Sequence, residues 1–472
     1  MKTSALLLLA ALSVVPLAAE DAPPPAQEPA AAPEQSAAPE QTQEEKMKTA
    51  LAAALEQIAA EQSDDFYPAV CAVLDAGGTE ADYARLLREA AKEGAPAAQL
   101  RVAHENLEKL VVRGGDAVMA DEAVRAAKLL AEAAKKGYVP ALMEQSRMAG
   151  AGIGRQPSEK EAMRLLVEAC KAGSVRARAA YLLVSGRLNE GDWEAPEVAS
   201  ELEKKNFYLE EIIATLYGAD ERALSWYEKA AEHGSARAAY VLSQGFEESI
   251  PEPRAAAYLK QAAEAHLPEA LAAIAVLELN GDGQLLPVDP EKGVRHLQEA
   301  LLLGYQPVAV TLASRYMNEP ERYSPERIYA LYQDAAALGD ARAMVAAAYC
   351  LATGRGCEAD AAKGSEQLRS LALGGMPYAS MALADLYFNG VGGEPDVRSA
   401  VNALGEAAAA GLPQVYTLMA ALTALGTEQT PADPRRAESF LRMAEDNHEQ
   451  SPREVYQSLL TEKSWHFLPP AR

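Results

Sequence analysis

The chain has few aromatic residues, with only 3 Trp and 6 Phe. It also lacks any useful stretch in which valine, isoleucine and threonine alternate with polar residues. That absence argues against strands, because a half-buried strand needs a two-residue alternation. Alanine fills the space instead, in segments such as LAAALEQIAAEQ and EAAAAG. Alanine is the strongest helix former, so an all-α fold is expected. Basic clusters are missing as well. The formal charge is −24, and no run of Lys and Arg interrupts that field. Such a chain should be repelled by nucleic acid and by anionic lipid.

Patterns that carry chemistry are equally scarce. The six histidines, His104, His233, His266, His296, His448 and His466, are scattered, and none falls in H-E-x-x-H spacing. There is no C-x-x-C, G-x-S-x-G or S-x-x-K, which argues against a zinc site and the common serine-nucleophile signatures. Glu278, Asn280, Asp282, Gly283 and Asp289 imitate a calcium loop, but that loop wants aspartate first and a bidentate glutamate last. No catalytic residue, metal or cofactor is therefore expected. Four cysteines remain, Cys71, Cys170, Cys350 and Cys357. Only Cys350 and Cys357 are close in sequence. Either they bridge, which export would permit, or they are two small buried side chains.

The N-terminus reads MKTSALLLLAALSVVPLAAEDAPPP. Lys2 is a positive flank, Ala5 to Val15 is an apolar core, and Leu17-Ala18-Ala19 is a cleavage site, the pattern of a secretory signal peptide over residues 1–19. The apolar core falls short of the roughly 20 residues needed to span a bilayer, so no transmembrane anchor is expected after cleavage. Residues 20–46, rich in Pro, Ala, Glu and Gln, read as a disordered linker. The expected location is the periplasm or the outside of the cell.

The remaining chain is periodic. Two small apolar residues, two variable ones and a glycine recur as AAKEG at Gly94, AAKKG at Gly137, ACKAG at Gly173 and AAEHG at Gly234. The series continues as AAEAH at His266, ALLLG at Gly304, AAALG at Gly339, LALGG at Gly375, AAAAG at Gly411 and MAEDN at Asn447. About 36 residues is the length of one helix pair with two turns, and glycine after an alanine-rich helix is a left-handed C-cap. An alanine follows the anchor at Ala141, Ala177, Ala238, Ala270, Ala343 and Ala379, where a small side chain lets helices approach. A second glycine pair recurs at a fixed phase, Gly152/Gly154, Gly281/Gly283, Gly354/Gly356 and Gly390/Gly392. It is therefore a turn and not a phosphate loop, which would occur once and after a strand. Helix-start chemistry follows it: a capping box at Ser158-x-x-Glu161, Asp289-Pro290, Ser324-Pro325, Asp360 and Asp396.

One copy reads Ala379, Leu383, Ala384, Tyr387, Gly390, Gly392, Asp396, Ala400, Ala407, Ala408, Gly411. A second runs from Ala141 through Gly152, Gly154, Ala162 and Ala169 to Gly173. This pattern resembles the Sel-one-like repeat (SLR) family, relatives of the tetratricopeptide solenoids, over roughly residues 66–450. The tyrosine slot varies, holding Ala149, Ser185, Phe246, Glu278, Leu351 and Thr423 in other units. The resemblance implies an α/α solenoid, a superhelix of stacked helix-turn-helix repeats, over residues 47–450. A C-terminal capping helix and tail would occupy 451–472, with Trp465 and Phe467 closing the open end. In such a stack an Ala408→Leu change should overpack the core.

Residues 189–220 separate two anchors by 61 positions and read as an insertion. Trp193, Phe207, Tyr208 and Tyr217 gather there. Either they form a partner-binding projection, or one extra helix from about Pro196 to Leu216 buries them. Repeats of the resembled family commonly serve as adaptors. The function expected is an exported, non-enzymatic scaffold for protein or peptide partners, with basic partners favoured by the acidic charge. The alternatives are a glycan- or peptidoglycan-binding protein using Trp193 and the tyrosines, and an enzyme with a site on the concave face.

Overall fold

The computed structural model describes residues 42–113, 121–188, 193, 195–218, 220–245, 250–281, 287–317, 319, 321–337, 339–412, 415–462 and 467. The expected signal peptide, linker residues 20–41 and Trp465 lie outside the described residues. Among the described residues there are 24 α-helices, a single 3-10 turn at Gln306–Val308 and no strand. The fold is an all-α, α/α solenoid. The first helices are α1 Gln43–Ala60, α2 Tyr67–Asp75, α3 Glu80–Glu93, α4 Pro96–Arg113, α5 Asp121–Lys135, α6 Val139–Ala151, α7 Glu159–Lys171 and α8 Val175–Val184. Next come α9 Pro196–Glu203, α10 Phe207–Tyr217, α11 Glu221–Glu232, α12 Ala236–Gly245, α13 Glu252–Glu264, α14 Pro268–Asn280, α15 Pro290–Leu302 and α16 Ala309–Met317. The series ends with α17 Pro325–Ala337, α18 Ala341–Thr353, α19 Ala361–Leu373, α20 Pro377–Asn389, α21 Val397–Ala409, α22 Val415–Leu425, α23 Pro434–Asp446 and α24 Pro452–Glu462. Contacts divide the chain into two compact units. Unit 1 runs through His104 and includes Val124–Arg295; unit 2 comprises Glu105–Ala123 and the chain from His296 onward.

Helices end at the expected anchors because the backbone there turns left-handed. Gly94, Gly137, Gly173, Gly234, His266, Gly304, Gly339, Gly375 and Gly411 all have positive φ. Two anchors are corrected. Asn447 is not left-handed (φ −90), and its neighbour His448 is (φ 56). Within the expected insertion at 189–220, the described residues hold two helices and a left-handed residue between them. Lys205 has φ 55 and stands 32 residues after Gly173 and 29 before Gly234, so it is an anchor in which lysine replaces glycine. The described residues of the 61-residue interval therefore hold four helices: α10 packs on α11 as in other pairs, whereas the short α9 barely touches α8, which packs mainly on α10. The expected single helix breaks at Lys204–Asn206 for a local reason. Asn206 is buried, its Oδ1 accepts from the Leu209 amide at 3.4 Å, and its Nδ2 donates to the Val175 carbonyl at 3.1 Å and to Glu201 at 3.0 Å. The linker likewise ends earlier than expected. Thr42 and Glu45 form a reciprocal capping box, which starts α1 at Gln43.

The alanines after the anchors are the contact points of the stack. Ala141, Ala177, Ala238, Ala270, Ala343 and Ala379 are each fully inaccessible. A second small position lies four residues after the caps Asp289, Asp360, Asp396 and Asp433, which open the second helix of a pair. It is Ala400 or Ala437, both buried, and Gly293 or Gly364 elsewhere. At Gly364 a methyl group would come within 2.5 Å of the Ala352 amide nitrogen, so α19 crosses α18 at backbone contact. Ala407 is fully inaccessible whereas Ala408 sits half-buried at the rim of the same core, which moves the overpacking position by one residue.

The varied tyrosine slot has a backbone explanation. The amide of the capping residue donates to the carbonyl of the slot residue: Ser158 to Ala149, Asp289 to Glu278, Asp360 to Leu351 and Asp396 to Tyr387, all at 2.8 Å, and Asp433 to Thr423 at 3.0 Å. The side chain can vary because the carbonyl closes the turn. The cap side chains then accept from the first-turn amides, as Asp360 does from Lys363 at 2.9 Å and Asp433 from Arg436 at 3.0 Å. At Ser158 only half of the expected capping box forms. The Glu161 amide donates to Ser158 at 3.3 Å, but the Glu161 carboxylate turns to Arg164 at 2.9 Å.

Candidate functional site

The four aromatic residues expected to bind a partner separate into two groups. Trp193 Nε1 donates to the Tyr217 hydroxyl at 3.0 Å, and the indole packs edge-on against Tyr217 and Trp226. Trp193 and Tyr217 lie on a core of Leu182, Val198, Leu209 and Ile213. Phe207 meets Tyr208 with ring centroids 4.2 Å apart. Tyr208 lines a cavity, and the Arg176 guanidinium lies 5.9 Å from its ring centroid.

That cavity, of about 310 Å³, lies in unit 1. One wall is the turn between α1 and α2, with Glu61, Gln62 and Asp64. The opposite wall is built from the starts of α6 and α8, including Val139, Met143, Val175 and Arg176. Starts of helices are where amide hydrogens lack partners. Tyr138, the cap of α6, supplies no side-chain bond. Gln62 Oε1 supplies it instead, accepting from the Val139 amide at 2.7 Å across 77 residues. The Tyr138 hydroxyl donates to the Ser63 carbonyl. Asp64 accepts from Arg176 at 2.6 Å. Tyr67 stacks on His266 with centroids 3.6 Å apart, and Asp65 lies 3.5 Å from the same imidazole. At the far end of α2, Asp75 accepts from Arg295 at 2.7 Å. Six residues span at most about 20 Å even when fully extended. The turns that precede α6, α8 and α14 must therefore converge on residues 62–67.

Burial tunes the groups around this turn. It lowers the basicity of His104 and raises the Tyr138 and Tyr208 hydroxyls, with the Asp64 charge adding to both tyrosine shifts. Glu211 is pushed above the usual carboxylate range by burial, partly offset by the bond from Ser235. Other buried carboxylates are tied to their neighbours. Burial pushes Glu201 up, but bonds from Lys204, Arg178 and Asn206 hold it below its ordinary value. Glu210 lies 2.9 Å from His233 Nδ1. In unit 2, Asp385 accepts from Tyr349 and from Asn389 at 2.5 Å.

Cys350 and Cys357 are both free thiols, so the bridge reading is not what the structure holds. The Cys350 side chain is buried in α18, and Cys357 Sγ points at the Cys350 carbonyl, 3.7 Å away. Burial pushes the Cys350 thiol up to about 12. Among the described residues no three His, Cys, Asp or Glu side chains gather as a metal site. Glu278, from the calcium-like stretch, is buried and pairs with Lys292 at 3.2 Å, while Asp282 and Gly283 lie outside the described residues.

Comparison with known proteins adds the family. The Sel1 repeat model matches residues 96–138, 146–174, 219–235, 236–267, 268–305, 341–364 and 377–412. The chain is a Sel1-like repeat protein. Two of these matches meet one residue beyond the left-handed anchor His266, and another ends one residue beyond Gly411, so the family register and the backbone register coincide. The chain is similar to a protective antigen of uropathogenic Escherichia coli displaying an SLR fold. That likeness has 16% identity and a TM-score of 0.38, covering 90% of this chain and 85% of the other. It is also similar to a Sel1 repeat protein from Oxalobacter formigenes, with 20% identity and a TM-score of 0.36, covering 52% of this chain and 99% of the other. No curated protein matches the sequence.

Sequence reasoning missed the convergence on residues 62–67 of this Sel1-like chain. The available signal was Asp64-Asp65-Phe66-Tyr67, paired acids and paired aromatics just ahead of the first complete repeat. Arg176 stands three residues after an anchor, a position that Arg237 and Arg342 fill with arginine in two other units, and His266 stands on an anchor, where most units have glycine.

Proposed function

We propose that this Sel1-like repeat protein is an exported, non-enzymatic scaffold that binds a protein or peptide partner. Sel1 repeat proteins are generally protein-interaction scaffolds. The observation that carries the reading is the inner edge of unit 1, where three inter-repeat turns converge beside a cavity of about 310 Å³. Helix starts, a guanidinium and Tyr208 meet there, groups suited to chain carbonyls and side chains and not to bond-breaking chemistry. Export rests on Lys2, the apolar core Ala5 to Val15 and Leu17-Ala18-Ala19. The charge of −24 draws basic proteins at long range, so a basic partner suits the outer surface. The glycan reading is less favoured, because Trp193 and Tyr217 are half-buried and hydrogen-bonded to each other.

A photoreactive amino acid at Met143, on the cavity wall, tests this in living cells. A discrete protein adduct, lost when the probe is moved to the exposed Leu373, is expected. The absence of any adduct, or the same adducts from both positions, refutes the scaffold reading. Fractionation of the same cells tests export: mature protein lacking residues 1–19 should appear outside the cytoplasm.

A further inference from the structure

We propose that the inner edge of unit 1 is a receptor for an acidic peptide segment carrying an aromatic residue, and that residues 61–67 of this chain occupy it as a tethered stand-in. This rests on the scaffold reading and names the partner chemistry of its groove.

The charge pattern is the first argument. Acidic residues outnumber basic ones by 68 to 44, so cationic partners are the scarcer kind. Yet Asp64, Asp65 and Asp75 of the N-terminal segment each face a cation or imidazole of a different repeat: Arg176, His266 and Arg295. The segment and the edge are complementary in sign across repeats far apart in the chain.

The contacts are also of the kind a bound peptide makes. An oxygen of Gln62 takes the open Val139 amide at the start of α6, the Ser63 carbonyl receives the Tyr138 hydroxyl, one carboxylate meets a guanidinium and another an imidazole, and a tyrosine ring lies flat on His266. Backbone, acid and aromatic are read in turn along six residues.

The charged part of the occupant is only half shielded, whereas Phe66 of the same segment is buried. The Asp64 and Arg176 side chains remain about half exposed (45% and 54%), and a cavity persists between the turn and Met143, Val175 and Tyr208. Exposed pairs of this sort are weak. A tethered segment nevertheless competes at an effective concentration of about millimolar, so a free peptide of the same sequence is disfavoured until the tether is weakened.

The test uses the full chain and a fluorescein-labelled peptide of residues 61–67, Glu-Gln-Ser-Asp-Asp-Phe-Tyr, followed by fluorescence anisotropy. The Asp64→Ala/Asp65→Ala chain should bind the peptide at least about tenfold more tightly than the unaltered chain. Adding Arg176→Ala should abolish that gain, and a peptide with lysine in place of both aspartates should not bind. Circular dichroism establishes that the variants are folded; if the double variant is not, Tyr67→Ala, which removes the stack on His266, gives the same readout. Equal binding of the acidic and the charge-reversed peptide, or no binding to any opened chain, overturns the proposal. So does a dimer in which residues 61–67 are exchanged between copies, since the occupant would then not be tethered to the edge it fills. The adduct at Met143 separates this failure from that of the scaffold. If the adduct survives Arg176→Ala while the peptide does not bind, the scaffold stands and the acidic receptor falls; if both are lost without a fold change, both fall.

Discussion

Lys205 offers a direct test of the hidden repeat. It is exposed, it sits between α9 and α10, and its backbone is left-handed at φ 55. An L-residue in that region costs about 1–2 kcal/mol relative to its preferred conformations. Glycine would remove that cost but raise the freedom of the unfolded chain, which offsets about 0.4–1 kcal/mol. Lys205→Gly should therefore stabilise by about 0.5–1 kcal/mol. In a unit of this size the melting temperature should rise by about 1–4 °C. The reverse change is available at Gly234, the next anchor, where an added methyl group meets nothing within 4 Å. Gly234→Lys should thus lower the melting temperature by a similar amount through backbone strain alone. His266 shares the backbone but not the sign. Its ring stacks on Tyr67, and losing an aromatic pair costs about 0.5–1.5 kcal/mol, so His266→Gly should gain nothing. Scanning calorimetry of the three variants decides the matter. If Lys205→Gly melts at or below the unaltered protein while Gly234→Lys is neutral, Lys205 is not an anchor and residues 189–220 are an insertion after all.

Three further outcomes follow from packing and burial. Ala407→Leu should overpack the core of unit 2 and destabilise by about 1–3 kcal/mol in denaturant titration, whereas Ala408→Leu should cost visibly less because Ala408 reaches the rim. Gly356→Ala should be more damaging than Gly375→Ala. Both are left-handed, but at Gly356 the new methyl group lies 2.0 Å from the Pro325 carbonyl oxygen and at Gly375 it meets open space; soluble yield and melting temperature report the difference. With its thiol raised to about 12, Cys350 holds a thiolate fraction of about 10⁻⁴ at pH 8. Iodoacetamide should leave it unmodified until denaturant is added, while Cys357 reacts in the folded protein. Recovery of a Cys350–Cys357 disulfide from the native protein would contradict the free-thiol arrangement.

The repeat was legible because its signals are local. Left-handed glycine, the inaccessible alanine and the capping aspartate each act within a few residues, and their spacing fixes a pair of helices whatever surrounds it. The register failed where a residue took the glycine conformation without being glycine. At Lys205 the cost of the left-handed turn is offset by the buried bonds of the next residue, Asn206, and a pattern built on glycine does not see it. At the C-terminus the reading settled on Asn447, a good left-handed residue, while the helix runs one residue further and turns at His448. The tyrosine slot misled in the opposite way. Its side chains looked like departures from the repeat, but the feature maintained there is a carbonyl, which every residue has.

The candidate site was illegible for a different reason. Its contacts join residues 77, 112 and 201 positions apart, and that closeness is set by how far each pair rotates on the last. Rotation accumulates from small differences in side-chain size at the stacked alanine and glycine positions, so no single unit encodes it. What the sequence does carry is a local inconsistency: Asp64-Asp65-Phe66-Tyr67 puts acids beside exposed-looking aromatics before the first full repeat. Neither helix propensity nor capping accounts for both kinds of residue, since Asp65 serves the start of α2 through the Tyr67 amide at 2.9 Å while Asp64 does not. A residue pair that local structure cannot absorb is where a long-range contact should be sought, and in this chain the contact is with Arg176 and His266.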